Sequence, residues 1–164
     1  YPLAEAQLDR FFFEVKIEYP SAEEELSIVR RTTGGTFSRA AKVLTAKEVL
    51  EIQSLIREVP SADHVEDAAV QICRKTRPAN PEAPAIVREF LAWGAGPRAT
   101  QSLVLAAKAR AILAGRNAPS TQDLEHVAYP VLRHRLILNF KAHAQNKSEA
   151  EVIDEVLKNV KRAM

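Results

Sequence analysis

The sequence predicts a mainly α protein, a helical bundle preceded by one helix and one strand. Helices are favoured because glycine is scarce, at 5 of 164 residues, and good helix formers are common. Ser/Thr-x-x-Glu capping boxes precede three apolar-periodic runs, at Ser21, Thr45 and Ser148. Only residues 12–19 alternate apolar and charged side chains in the way a half-buried strand does.

The first twenty residues predict the end of an α/β domain. Ala4 to Arg10 is typical of a short helix, and the strand that follows places four large side chains on one face: Phe13, Val15, Ile17 and Tyr19. A single strand is not stable alone, and this sequence offers it no partner. We therefore divide the chain into residues 1–20, a remnant of an α/β core, and residues 21–164, a helical subdomain.

The helical subdomain should contain about seven helices. Helix starts are predicted near Ser21, Thr45, Ser61, Pro84, Pro97, Ser120 and Ser148. Pro130 should kink or end the helix that contains it. Residues 32–41 are predicted to be a loop, and the Gly34-Gly35 pair within it lacks the GxxxxGK[ST] spacing of a phosphate loop. The detailed conformation of residues 32–44 is left open, and residues 136–147 are left undecided between strand and irregular structure.

The turn from Trp93 to Arg98 carries the most chemical information. We expect a helix to end at Trp93, Gly94 to close it in the left-handed conformation, and Pro97 to open the next helix, which should run to about Leu113. A cation in a first helical turn is disfavoured by about 0.3–1 kcal/mol, whereas free N–H groups there attract anions. Arg98 is therefore either a phosphate sensor or a solvated arginine packed on Trp93.

Composition excludes several classes of protein. The net charge is +2 with the basic residues spread along the chain, so no nucleic-acid-binding stripe is predicted. No apolar run approaches the roughly 18 residues of a membrane span. Cys73 is the only cysteine, which fits a reducing, cytoplasmic compartment. The four histidines lack ligand spacing, so no metal site is expected, and no nucleophile–base pair is evident.

Motifs at both ends of the chain resemble one family. They are Tyr1-Pro2-Leu3 and Glu5 to Phe11 at the start, then Gly94 to Ala99, Ala106 to Ala111, Gly115-Arg116 and Val131 to Arg135. Together they resemble the C-terminal part of MoxR-type AAA+ ATPases, which is the end of the ATPase core followed by the helical lid. The resemblance covers essentially all residues, although residues 30–75 match by pattern more than by motif. The first residue is not methionine, which suggests a piece of a longer protein.

The resemblance implies roles for two arginines. Arg98 would be sensor 2, touching the ATP phosphate in its own subunit, with Gly96 and Pro97 shaping the helix start that binds it. Gly96 replaces the serine of the usual Gly-Ala-Ser-Pro-Arg, which weakens only the cap. Arg10 would be an arginine finger, reaching in trans the ATP of a neighbouring subunit, rather than a local surface partner of Asp9.

The parent implied by the resemblance is a ring, expected to be hexameric, that uses ATP and Mg²⁺ to remodel or mature an unknown partner protein. The phosphate loop and magnesium ligands precede Tyr1 in that family, so this chain alone should bind ATP weakly or not at all and should not hydrolyse it. The rival hypothesis is a stand-alone helical module that binds protein or DNA through Arg74 to Arg77 and Arg133 to Arg135. Walker motifs upstream of Tyr1 would favour the ATPase, and salt-dependent DNA binding would favour the module.

The unpartnered strand leads to one further expectation. Residues 1–20 are either mobile or docked on a second copy of the chain, strand to strand or swapped. We favour docking, because four large apolar side chains could each gain about 1.5–3 kcal/mol on burial.

Overall fold

The computed structural model describes residues 3–34 and 40–163, which form two compact units. The first unit, here called the lid unit, comprises the described residues up to 14 and from 54 onward. The second, the outer unit, comprises the described residues between 15 and 53. Tyr1, Pro2 and the second glycine of the Gly34-Gly35 pair lie outside the described residues. The predicted domain boundary at residue 20 stays a prediction.

Helices dominate both units, as the sequence predicts. In chain order the elements are α1 (Glu5–Leu8), α2 (Ala22–Thr32), α3 (Ala46–Glu58), α4 (Asp63–Lys75), α5 (Ala85–Phe90), β1 (Leu91–Trp93), α6 (Pro97–Leu113), α7 (Thr121–Leu132), a 3₁₀ turn (Arg133–Arg135), β2 (Ile137–Leu138), α8 (Phe140–Ala144) and α9 (Glu149–Ala163).

The core of the lid unit lies among α4, α6, α7 and α9. Its largest fully buried side chains include Val65, Leu103, Leu124, Val131 and Ile153. The face of α6 toward α4 and α7 consists mainly of alanines, which permit close helix approach without voids: Ala99, Ala106, Ala107 and Ala111. Burial of α4 also encloses Cys73 and raises the pKa of its thiol to about 11.

All three predicted capping boxes are confirmed. At the start of α2, Glu24 N donates to Ser21 Oγ at 3.3 Å while Ser21 N donates to the Glu24 carboxylate at 2.8 Å. The same reciprocal bonds form between Thr45 and Glu48 and between Ser148 and Glu151. The side chains satisfy N–H groups that the helix itself leaves free, so these starts are specified locally.

One local prediction needs correction, and the structure describes two stretches that the sequence left open. The helix expected to reach Trp93 ends at Phe90, because Leu91–Trp93 pairs antiparallel with Ile137–Leu138. The undecided stretch after residue 136 is thus a short strand followed by α8. Pro130 does not end α7, which continues to Leu132 before tightening into the 3₁₀ turn. The two strands are too short for periodicity to separate helix from strand.

The strand predicted at residues 12–19 is wrong for this chain. Residues 13–21 have no regular secondary structure, and the side chain of Ile17 is 91% exposed. The physical reason is the missing partner, because a strand needs a neighbour to satisfy its N–H and C=O groups. Whether a second copy supplies that neighbour stays a prediction.

The outer unit, as far as its residues are described, has helices without a core. It contains α2 and the beginning of α3, and neither helix buries any residue. Both helices nevertheless carry large apolar side chains on the surface, namely Leu26, Ile28, Val29, Val49, Leu50 and Ile52.

Candidate functional site

The site predicted from the sequence lies at the start of α6. Pro97 occupies the first turn of this helix, as predicted, and Gly96 is the N-cap in an extended conformation, with φ −84° and ψ 178°. No side chain caps the helix, so the N–H groups of its first turn are not satisfied in that way. An uncapped helix start with its partial positive charge is suited to an anion.

Gly94 is needed for space rather than for a left-handed conformation, which corrects the prediction. Within the described part of the chain, Gly115 is the only glycine with positive φ. A Cβ at Gly94 would lie 2.2 Å from the Thr76 carbonyl oxygen, so only glycine fits. The next residue, Ala95, donates its N–H to Thr76 Oγ1 at 2.9 Å and accepts from Arg77 Nε at 3.1 Å. The end of α4 therefore fixes the turn that precedes Arg98.

Arg98 is paired with Asp9 in this structure. Its guanidinium Nη1 donates to Asp9 Oδ2 at 2.8 Å, and half of the side chain remains exposed. The other oxygen, Asp9 Oδ1, accepts from Arg135 Nε at 3.0 Å. One carboxylate thus bridges two arginines that are far apart in the sequence.

Arg10 is placed differently from Asp9, its neighbour in the chain. The Arg10 side chain is exposed and makes no hydrogen bond or ion pair within the described residues, whereas its backbone N–H donates to the Gln7 carbonyl oxygen at 3.1 Å. The local surface pair with Asp9 does not form, because Asp9 is occupied by Arg98 and Arg135. The exposed guanidinium of Arg10, on its long side chain, can therefore contact another molecule.

Sequence reasoning treated Arg135 only as part of a motif and a basic cluster, and it missed the bonds that this residue makes. Its side chain is only 1% exposed, and it contacts α6, α7 and residues 9–12 at once. Burial lowers the pKa of the guanidinium, and the Asp9 carboxylate opposes that shift. Nothing in the local sequence distinguishes Arg135 from its neighbour Arg133, because most of its acceptors are more than 120 residues away.

His134 contacts the same segment from the same turn. Its Nε2 lies 3.1 Å from the Phe11 carbonyl oxygen. Burial is the largest cause that lowers the pKa of the imidazole. A neutral ring that donates from Nε2 satisfies this carbonyl, so His134 adds a second bond between the 3₁₀ turn and the start of the chain.

Two cavities border the start of α6. A cleft of about 600 Å³ is lined in part by Asp9, Trp93, Gly96, His134 and Arg135. An apolar pocket of about 430 Å³ is lined in part by Arg77, Trp93, Gly96 and Pro97. Of the predicted site residues, the structure brings Gly96 and Pro97 to a cavity and places Arg98 next to them in the helix, while Arg10 lines neither.

The basic clusters are largely committed to the fold. Lys75 is buried and its Nζ donates to Asn159 Oδ1 at 2.7 Å, while Arg77 holds the turn described above. Arg133 Nε donates to the Tyr129 carbonyl oxygen one helical turn earlier. Among the described residues there is no group of three side chains able to hold a metal ion, and no helix suited to crossing a membrane.

Comparisons with known proteins point to one family. Residues 83–156 match the AAA lid domain. The chain is 36% identical to the chaperone MoxR1 of Mycobacterium tuberculosis over 98% of its own length and 42% of that protein. It is 28% identical to the protein MoxR of Paracoccus denitrificans, over 85% of this chain and 44% of that one.

A solved structure extends the likeness to the fold. A Cytophaga hutchinsonii protein proposed to be an ATPase superposes with a TM-score of 0.90 at 32% identity, over 97% of this chain and 48% of that one. The chain spans less than half the length of each of these proteins.

Proposed function

Because this chain carries an AAA lid domain and belongs with the MoxR-type AAA+ ATPases, we propose that its parent couples ATP hydrolysis in a ring to remodelling or maturing partner proteins. In this proposal the chain supplies two arginines to the nucleotide sites. The ring, expected to be hexameric, follows from the proposed roles, since a finger and a sensor from different subunits must meet at one nucleotide. We expect the parent to be cytoplasmic.

The observation that carries the proposal is the setting of Arg98. It stands in the first turn of a 17-residue helix whose start has no side-chain cap, beside a glycine and a proline. Its guanidinium is half exposed and already holds an anionic oxygen, Asp9 Oδ2. A phosphate oxygen is chemically equivalent to that carboxylate oxygen as an acceptor. This supports Arg98 as sensor 2, with Gly96 and Pro97 forming the helix start.

Arg10 is proposed as the arginine finger acting in trans. An exposed guanidinium without a partner among the described residues supports this role, because such a group can stabilise charge on a phosphate of an adjoining subunit. The backbone on both sides of Arg10 is held by the lid unit, so the side chain would be presented from a fixed base.

The residues of this chain fit the phosphate but not the magnesium ion. Arginine and helix N–H groups are phosphate ligands, whereas Mg²⁺ requires carboxylate and hydroxyl oxygens grouped together. Among the described residues, no three His, Cys, Asp or Glu side chains lie together in a group that could hold a metal ion. We therefore propose that Mg²⁺ and most of the ATP are bound by other parts of the parent, and that this chain alone does not turn over ATP.

Substitution of Arg98 in the parent protein tests the sensor role. Arg98→Ala should lower the ATP turnover number by about tenfold or more, since a charge-assisted contact to the transferred phosphate is lost. Arg57→Ala, an exposed arginine at the end of α3, is the matched control. Turnover that stays unchanged, with unchanged thermal stability, would contradict the role of Arg98.

Mixed rings test the finger role. Arg10→Ala subunits should lose activity in pure rings and recover it next to subunits that keep Arg10 but cannot bind ATP. Recovery is expected because the finger serves the neighbouring site rather than its own. No recovery at any mixing ratio, with ring assembly verified, would make Arg10 a structural residue.

The rival hypothesis of a DNA-binding module is less favoured by the structure. Three of its candidate cations, Lys75, Arg77 and Arg135, are engaged inside the lid unit. We expect no nucleic-acid binding. Affinity of this chain for duplex DNA that falls steeply with salt would reverse that preference.

A further inference from the structure

Arg135 binds the main chain on both sides of Arg10. Its Nη2 donates to the carbonyl oxygens of Asp9 at 3.1 Å and Phe11 at 2.7 Å. Its Nη1 lies 3.5 Å from the Phe12 carbonyl oxygen. Together with the Nε bond to the Asp9 carboxylate, these contacts hold the backbone on both sides of Arg10. The Arg10 side chain itself is exposed.

The other contacts of Arg135 reach the helices of the lid unit. Nη1 also donates to the Val131 carbonyl oxygen, and Nη2 lies 3.4 Å from Ser102 Oγ in α6. Ser102 is one helical turn beyond Arg98. A buried guanidinium is tolerated only when its donors are satisfied, and moving this one would break several such bonds together. Arg135 is therefore a rigid connection between α6, α7 and residues 9–12.

Asp9 extends the connection to the second arginine. Its two carboxylate oxygens hold Arg135 and Arg98 at 3.0 and 2.8 Å. Arg98 is proposed to touch the nucleotide of its own subunit, and Arg10 is proposed to reach the neighbour's. The Arg98 side chain and the backbone beside Arg10 are thus both held by the Asp9–Arg135 pair.

We propose that Arg135 is a positioning residue that holds Arg10 in place for the neighbouring subunit's nucleotide. This inference rests on the proposed function, and it assigns to Arg135 an effect in trans although Arg135 touches no nucleotide. The competing explanation is that Arg135 only stabilises the fold. That explanation predicts that ATP turnover falls at the site of the substituted subunit itself. It also predicts that this loss adds to the loss caused by Arg10→Ala.

The experiment uses Arg135→Lys in the parent ring, with Arg133→Lys as the matched control from the same turn. Lysine keeps the charge but cannot bind several carbonyl oxygens in a planar fork. We expect Arg135→Lys to lower kcat by about tenfold or more, toward the value of Arg10→Ala, with KM for ATP unchanged. Arg133→Lys should leave kcat unchanged, since the one side-chain hydrogen bond of Arg133 in the described structure goes to the Tyr129 carbonyl oxygen and none goes to residues 9–12.

Two further measurements separate positioning from stabilisation. Arg135→Lys combined with Arg10→Ala should be no slower than Arg10→Ala alone, because both changes remove the same contact. In mixed rings, an Arg135→Lys subunit should regain full turnover at its own site when its neighbour keeps Arg10 and Arg135 but cannot bind ATP. Additive losses, or a defect that stays with the substituted subunit, would overturn the inference.

Asp9→Asn tests the same connection if the Arg135→Lys variant does not fold or assemble. If Arg135→Lys rings do not assemble, Asp9→Asn takes its place, because it keeps the size and one acceptor oxygen of a side chain that is one-third exposed. It should show the same trans defect. If Arg10→Ala itself leaves turnover unchanged, the proposed finger role has failed. If Arg10→Ala is slow but Arg135→Lys and Asp9→Asn are not, only the positioning role has failed.

Discussion

The lid unit and the outer unit use the same local signals with different results. The box at Ser148 opens α9, and that helix buries Val152, Ile153, Val156 and Val160. The box at Ser21 opens α2 with equivalent bonds, and that helix buries nothing. The two helices differ in their surroundings rather than in their starts. Helix formation here is a local property, whereas burial of the apolar face depends on distant parts of the molecule.

Truncation of a leucine in each unit gives the largest contrast. Leu103→Ala should lower the free energy of unfolding by about 2–5 kcal/mol, because this side chain is fully buried in α6. Leu50→Ala should change it by less than about 0.5 kcal/mol, since Leu50 is 65% exposed. Urea titration of both variants measures the difference. Equal losses would mean that the outer unit has a core of its own.

Self-association tests whether a second copy covers the exposed segment. If residues 1–20 dock on another chain, Ile17→Lys should weaken the dimer by about 1.5–3 kcal/mol, which corresponds to the burial of one large apolar side chain. Sedimentation at several concentrations measures the dissociation constant, with Lys16→Ala as the control from the same segment. An unsubstituted chain that remains monomeric at high concentration would exclude docking.

The buried carboxylate of Asp123 should make the lid unit sensitive to acid. Asp123 is 3% exposed and accepts two bonds from Arg116, at 2.6 and 2.7 Å. The Arg116 guanidinium is the largest cause that holds the pKa of this carboxyl well below its usual range, opposed by burial. The stabilisation is therefore present above the unfolded pKa of about 3.9 and is lost as pH falls below it.

Asp123→Asn should lower the free energy of unfolding by about 1–3 kcal/mol near neutral pH. It should also make the fall in that free energy below about pH 4 less steep. Denaturation measured across this pH range, with Asp63→Asn as an exposed control in α4, checks both expectations. If the variant loses stability in acid as steeply as the unsubstituted chain, other carboxylates determine the acid sensitivity.

Removal of the helix caps gives the smallest effect. Ser148→Ala should lower the free energy of unfolding by about 1 kcal/mol, because α9 is coupled to the core. Ser21→Ala should leave the main unfolding transition unchanged and reduce only the helical circular dichroism signal. A shift of the main transition by Ser21→Ala would show that α2 unfolds together with the lid unit.

Much of the fold could be predicted because its signals lie within a few residues of each other. The start of α6 at Pro97, its end at Leu113 and the three capping boxes are confirmed. The strand from Leu91 to Trp93 could not be predicted, since its partner at Ile137 and Leu138 is more than 40 residues away. The strand at residues 12–19 failed for the opposite reason: its pattern is clear, but none of the residues that the structure describes pairs with it as a strand.

The candidate site could be predicted only in part. The helix start at Gly96 and Pro97 follows from local chemistry, and the family resemblance, which is confirmed, pointed to Arg98 and Arg10. The roles of those arginines remain predictions. The bonds of Asp9 and Arg135 could not be anticipated, because 126 residues separate the two partners.

The enclosed thiol of Cys73 makes this chain suited to site-specific labelling. Because burial raises the pKa of this thiol to about 11, maleimides should react with it very slowly while the lid unit is folded. Since it is the only cysteine, a single new cysteine placed at an exposed position can carry a fluorophore without removal of the native one. In denaturant, reaction of Cys73 itself would report the opening of α4.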